Sequence, residues 1–346
     1  MQQYEFYDVG EFEQFTSEGR TPLATAKRHP VFADMRHEVG EENVGQRNYE
    51  EITSKNAVFN ERDDELAYMS SDRYDLIQHH DVLQAIKTAV DETTGGIDYG
   101  MIRDYGARMD GILVFSNQDE AKIDMRELLG DDYIPPEGRP NTDPTAEDSR
   151  WRDTVGLGMR FRNSFDGGTK VAGSTMGYRY ICQNWLVWDE AEIGSVERQH
   201  TRSVDESDGL EPEFFADIIQ DVFEVKSDVE TTFLDAEATE VPLTWVPGIL
   251  ERHDFGANYQ KRITGRILNH EPVSDDGDET TIWRVYNATT SELDRNTAVD
   301  SSAYTYDYYQ SYAWNMMNAE SEEASEPEES LEDLNEVREF AVMPEA

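Results

Sequence analysis

Apolar and polar residues alternate most cleanly between Val155 and Arg162, where Val155, Leu157, Met159 and Phe161 are interleaved with Gly156, Gly158, Arg160 and Arg162. A period of two sends successive side chains to opposite faces of an extended strand. The stretch therefore predicts a strand with an apolar row on one side and a Gly/Arg row on the other. Asn163-Ser164-Phe165-Asp166-Gly167-Gly168 follows, and its Asp-Gly-Gly tolerates the positive φ of a tight reversal. A second extended run ends in Tyr178-Arg179-Tyr180-Ile181-Cys182, so the whole reads as a β-hairpin.

Helical spacing appears elsewhere. Asp81 is expected to cap a helix whose Val82, Leu83, Ile86 and Val90 share one face and which ends before Gly95-Gly96. Pro212 opens another, marked by Phe214, Phe215, Ile218, Ile219, Val222 and Phe223. Residues 283–293 predict a further helix, and the Tyr/Trp/Met-rich run 304–318 a last amphipathic element. Tyr74, Leu76 and Ile77 suggest a short strand, 106–115 a longer one, Trp245-Val246-Pro247-Gly248 a turn, and Thr21-Pro22 the start of a short helix. His79 and His80, at a strand-to-helix junction, read as cap and loop residues. Strands come in consecutive pairs and do not alternate regularly with helices. The expected class is α+β, an antiparallel sheet built around a central β-hairpin and packed by helices on one face.

Residues 1–60 are polar and weakly periodic and read as an N-terminal extension; 61–318 read as the α+β domain. Pro135, Pro136, Pro140 and Pro144 predict an exposed irregular loop over 131–153. Residues 319–346, beginning AESEEASEPEESLEDL, are expected to be an acidic, disordered tail.

Charge changes the picture. The 346 residues include 74 Asp and Glu against 30 Lys and Arg, a formal net charge of -44, and only seven of the bases are Lys. Dense carboxylate with little Lys suits a protein that must stay soluble where molar salt screens self-repulsion, which points to the cytoplasm of a halophilic archaeon. One cysteine excludes an intramolecular disulfide and a Cys-rich zinc site. No basic-then-apolar leader and no run of eighteen apolar residues is present, so neither secretion nor a membrane span is expected. Against the acidic background, 155–188 holds Arg160, Arg162, Lys170 and Arg179 with a single acid, Asp166.

In order along the chain, SDRYDLIQHHDVLQAIKTAV, GARMDGILVF, FRNSFDGGTK, MGYRYICQNWLVW, RQHTR and WRVYNATTSEL together resemble the phage/plasmid-like protein family of bacteriophages, plasmids and archaeal mobile elements. That family carries an N-S-x-D-G turn, then R-x-x-C-x-N, an H-T pair and a late Y-N-A-x-T. The matching positions are Asn163, Ser164, Asp166 and Gly167; Arg179, Cys182 and Asn184; His200 and Thr201; and Tyr286, Asn287, Ala288 and Thr290. The resemblance spans roughly Asp72 to Leu293. It departs at Leu293-Asp294, where the family has an aromatic and then a His, and it does not include the first 60 residues. It implies a mobile-element origin and no assigned activity.

Three kinds of chemistry compete. Arg160, Arg162, Lys170, Arg179 and Arg202, interleaved with Phe161, Tyr178 and Tyr180, offer guanidinium groups for phosphates and rings for unstacked bases, the needs of single-stranded nucleic-acid binding in replication or recombination. Molar salt suppresses the phosphate contribution, so stacking would have to dominate. The same arginines could instead pair internally with the abundant acids. An enzyme would use Cys182 as nucleophile and His200 as base, with Asn184 orienting them. A lone Cys between Tyr180, Ile181 and Trp185 more often packs as a small apolar residue, so catalysis is the disfavoured reading. Asp166 with Asp153 or Glu190 lacks a spaced Mg²⁺ signature, Asp275-Asp276-Gly277-Asp278 lacks the closing Glu of a calcium loop and reads as a hairpin tip, and no nucleotide motif occurs; no metal or cofactor is expected. The third reading is a structural or protein-interaction module, self-associating or bound to other mobile-element proteins, in which Tyr304, Tyr306, Tyr308, Tyr309, Tyr312 and Trp314 form an interface or a core. In every reading Asn163 and Asp166 shape the turn through their own backbone, Gly167 and Gly168 permit it, and Asn184 ends the second strand and reaches back to the first turn.

Overall fold

The computed structural model describes residues 1–17, 23–34, 49–62, 64–71, 74–93, 96–116, 121–130, 133, 153–180, 184–186, 195–198, 210–270, 278–300, 303–328 and 330–341. The elements in chain order are β1 (Gln2–Phe6), α1 (Val9–Thr16), β2 (Ala26–Asp34), β3 (Tyr49–Asn60), β4 (Glu65–Ser71), α2 (His79–Thr93), β5 (Ile97–Asp104), β6 (Arg108–Phe115), β7 (Lys122–Asp124), α3 (Met125–Leu129), β8 (Thr154–Ser164), β9 (Val171–Arg179), β10 (Asn184–Leu186) and β11 (Ser195–Arg198). Then come α4 (Glu213–Glu224), α5 (Lys226–Ala238), β12 (Glu240–Pro242), a 3-10 turn (Leu243–Trp245), α6 (Val246–Arg252), α7 (Ala257–His270), β13 (Glu279–Thr281), α8 (Ile282–Asp300), α9 (Ala303–Glu323) and α10 (Leu334–Ala341). The fold is α+β with antiparallel sheets.

The chain forms two compact units, where the sequence suggests one domain with extensions. The first comprises residues 1–116, 159–174 and 195–220, the second 117–158, 175–194 and 221–346. The hairpin β8–β9 contributes residues to both. In the first unit β1, β5, β6 and β8 are successive neighbours, and β11 lies on β9; a separate three-stranded sheet has the order β2-β3-β4. In the second, β7 pairs with β8, β10 with β9, and β12 with β13.

The N-terminal 60 residues belong to the first unit rather than extending from it. β1 pairs with β5 in the register Gln2↔Asp104 to Phe6↔Gly100. Asp8 caps α1, its Oδ1 accepting from the Glu11 amide at 2.8 Å, while Glu11 accepts from the Tyr7 amide at 2.8 Å. These bonds, with Glu11 reaching back one residue beyond the cap, start the helix, and Phe12 and Phe15 lie against Phe6, with ring centroids 5.6 and 4.8 Å apart. Buried Asp104 ties in the following segment, accepting from the amides of Ala24 at 2.9 Å and Gly106 at 2.7 Å and pairing with Arg62. Asp81 lies within the first turn of α2, which begins at His79, and accepts from the Gln78 amide at 3.3 Å. Tyr74 makes a single bridge and no strand follows it.

The second unit is mostly helical and its core is aromatic. Trp283 and Tyr286 of α8 and Trp314 of α9 are buried around Phe233 of α5, with Phe233 4.4 Å from Trp283 and 6.4 Å from Trp314. Trp245-Val246-Pro247-Gly248, expected as a turn, leads into α6, because Pro247 falls in the first helical turn, where its missing N–H would have had no partner. The acidic stretch after Ala319 is structured where it is described: α9 runs to Glu323, and α10 follows. Leu331, Leu334, Val337 and Phe340 recur every three residues on the inward side of that segment, and Val337 is fully buried. The glutamates between them point outward, so a charged composition coexists with an apolar stripe. Among the described residues no helix is long and apolar enough to cross a membrane.

Candidate functional site

The alternating pattern of β8 predicts one wet face, and the structure shows none. Residues 154–161 are all buried, as is every residue of β9. Glycines act as sockets for neighbouring side chains: a Cβ on Gly111 of β6 would stand 2.4 Å from Cζ of Phe161, so the ring lies across a bare backbone.

Burying both faces forces the guanidinium groups to find carboxylates. Arg160, 3% exposed, donates from Nε to Oδ1 of Asp110 at 2.9 Å and from Nη2 to Oδ2 at 3.0 Å. Arg179, fully buried, donates from Nε to Oδ1 and from Nη2 to Oδ2 of Asp153, both at 2.8 Å. Its Nη2 also donates to the Tyr133 hydroxyl at 2.7 Å, and that hydroxyl donates to Oδ2 of Asp153 at 2.8 Å. The guanidinium carbon lies 5.1 Å from the Trp283 ring. Burial pushes the Tyr133 phenol far above its ordinary value; Arg179 opposes this and Asp153 reinforces it, so the phenol keeps the proton that it donates. Two-pronged pairing of this kind fixes geometry as well as charge.

The expectation of an outward guanidinium-and-ring face is therefore corrected. Phe161, Tyr178 and Tyr180 are buried along with Arg160 and Arg179; Arg162 is half-buried, and Lys170 is exposed at the tip. Tyr133 and Asp153 lie at the two ends of the proline-rich stretch and are buried, not solvated; the rest of that stretch lies outside the described residues. Also outside them are Cys182, His200, Thr201, Arg202, Thr21-Pro22 and Asp275-Asp276-Gly277, as are the side chains of Asn184 and of Tyr304 to Tyr309. Asn184 opens β10, with Arg179 as its Cα partner.

The N-S-x-D-G turn is a structural knot. Asp166 does what the sequence suggests: Oδ1 accepts from the Gly168 amide at 2.8 Å, while Oδ2 takes the Nε donor of Arg108 at 2.5 Å. Ser164 closes the loop, accepting from the Thr169 amide at 3.0 Å and donating to the Thr169 carbonyl at 2.9 Å. Gly167 has φ +67°, and the Tyr68 ring lies 2.9 Å from where its Cβ would stand. Asn163 departs from the expected role. Buried, it donates from Nδ2 to the Ile77 carbonyl and lies 3.0 Å from Nδ1 of His79. His79, also buried, has Nε2 3.1 Å from the Gly106 carbonyl and stacks on Phe165 at 4.0 Å. These partners assign Nε2 as the protonated nitrogen and Nδ1 as the acceptor. His79 is thus a core linker of helix and hairpin, not the loop residue expected. Tyr286 and Asn287 are buried in α8, where Asn287 donates to the Trp283 carbonyl at 2.9 Å.

Among the described residues no group of three His, Cys, Asp or Glu is placed to hold a metal ion. Comparison with known protein families, with curated proteins and with solved structures finds no match to this chain.

Proposed function

We propose that the chain is a protein-interaction component of a virus or plasmid, working in the cytoplasm of a salt-adapted host, and that the hairpin is its internal frame rather than a platform for nucleic acid. The observation that carries this reading is the closure of two of the three hairpin arginines, Arg160 and Arg179, on buried aspartates, with Phe161, Tyr178 and Tyr180 turned into the core. A stacking platform needs rings and cations that an incoming strand can reach, and these are withdrawn from solvent. The exposed apolar side chains Leu66, Tyr68 and Met69 on one strand supply what a protein partner requires instead. The mobile-element origin rests on the motif order Asn163-Ser164-x-Asp166-Gly167, Arg179-x-x-Cys182-x-Asn184 and Tyr286-Asn287-Ala288.

Fluorescence anisotropy of labelled single-stranded oligonucleotides in molar KCl tests the reading. The wild-type protein is expected to leave the anisotropy unchanged. Saturable binding, lost in Arg162→Ala with Lys170→Ala, would restore nucleic acid as the ligand.

A further inference from the structure

β4 lies at one margin of the three-stranded sheet, and among the described residues its only strand partner is β3. A margin strand presents a row of backbone N–H and C=O groups that can template another strand. On β4, Leu66, Tyr68 and Met69 are 52%, 37% and 42% exposed; Leu234, 42% exposed, lies on a different element, α5. The register with β3 is regular from Lys55↔Ser71 to Val58↔Tyr68, so this half of β4 can be extended without a break. Tyr68 is already fixed, its ring set over Gly167 and 5.4 Å from the ring of Tyr74, so ordering it on association loses little entropy.

We propose that β4 is the self-association strand of this protein, pairing antiparallel with β4 of a second copy so that two three-stranded sheets become one. The proposal rests on the reading of the chain as a protein-interaction component and names its partner. Charge selects the second copy. A molecule of formal net charge -44 repels its own kind over most of its surface, yet β4, ELAYMSS, carries a single acid, Glu65. Two such strands can approach where repulsion is least. In molar salt, with a Debye length of about 3 Å, the acids around them are screened. An antiparallel pair of identical strands is also symmetric about a two-fold axis, so one strand supplies both halves of the contact.

Size exclusion with light scattering in molar KCl tests this over a dilution series. The wild-type protein is expected to run as a dimer that dissociates on dilution. Met69→Lys, in the regular half of β4, and Leu66→Lys, just beyond it, each replace an exposed apolar side chain of the pairing strand in both copies by a charged one and should raise the dissociation constant at least about tenfold. Leu234→Lys should leave it unchanged. All three side chains are exposed, so at dilutions where every protein is monomeric the melting curves should coincide with that of the wild type. Lowering the KCl concentration should weaken the dimer. A wild-type monomer at every concentration, a dimer that survives both β4 substitutions, or a dimer that tightens in dilute salt overturns the proposal. Persistence through the β4 substitutions would leave protein association standing with a different surface, whereas only oligonucleotide binding removes that broader reading.

Discussion

Two basic stretches stand out in this acidic chain, and the molecule treats them differently. In the hairpin, Arg160 and Arg179 are buried, each gripped by both oxygens of one aspartate. In α7, which has no acid, Lys261 and Arg262 are only half-buried, Lys261 5.6 Å from the Phe340 ring and Arg262 5.0 Å from the Tyr259 ring, while Arg266, its side chain 12% exposed, lies 3.5 Å from Glu292. The difference follows from desolvation. A strand covered on both faces gives a guanidinium no route to water, so the whole loss of hydration must be matched by a dedicated carboxylate. A half-covered helix lets the stem pack while the charged head stays wet. Local charge excess therefore does not by itself mark a ligand surface; its meaning depends on how many faces of the element are covered.

The strongest way to break the comparison is to remove one member of a buried pair. Arg179→Ala or Asp153→Ala should each destabilise the fold by about 3–5 kcal/mol, because the remaining charge stays buried without its counter-ion. Combining Arg179→Met with Asp153→Leu should recover much of that loss, since an apolar replacement removes both desolvated charges at once. Denaturant unfolding in molar KCl measures all three. A loss below about 1 kcal/mol for the single substitutions, the level of an exposed pair, would show that the anchor is hydrated in solution.

A smaller effect separates the two regions by pH. Burial raises the phenols of Tyr133 and Tyr74 above the ordinary value, so the folded chain holds those protons more tightly than the unfolded one. The stability they contribute is complete below the unfolded value of about 10 and is lost as pH rises through the folded value. Stability should accordingly decline above about pH 10, and Tyr133→Phe should make the decline shallower. An identical decline in that variant would mean that the phenol beside Arg179 does not resist ionisation.

What the sequence disclosed was local. The stripe of Val82, Leu83, Ile86 and Val90, the stripe of Phe215, Ile218, Ile219 and Val222, and the Asp166-Gly167-Gly168 reversal each arise from spacing within one element, and each is present. What it hid was non-local. Asp110 and Asp153 are two acids among 74, and nothing in their own surroundings marks them as the partners of Arg160 and Arg179. The alternation of β8 has the same appearance whether its second face meets water or protein, since glycine suits both. Two further features were legible but masked by composition. Asp8 and Glu11 have capping-box spacing, and Leu331, Leu334, Val337 and Phe340 have helical spacing, yet each set sits in a stretch polar enough to resemble a solvated tail.

The smallest effect lies in α7 and α10. α10 has eight residues, too few to hold a helix alone, so its order depends on what it packs against. Asp333 starts it, its Oδ1 accepting from the amides of Asn335 at 2.7 Å and Glu336 at 3.0 Å, and Val337 and Phe340 seat it. Lys261→Met keeps the aliphatic stem but removes the charge facing the Phe340 ring, and should weaken this contact by about 0.5–1 kcal/mol. The global unfolding curve should barely move. Amide exchange should instead quicken across Leu334–Ala341 and stay unchanged in β8 and β9, because α10 can open without the sheet opening. If exchange quickened equally in the hairpin, the half-buried cations of α7 would be coupled to the same cooperative unit as Arg160 and Arg179, and the contrast between the two basic stretches would be one of degree rather than of kind.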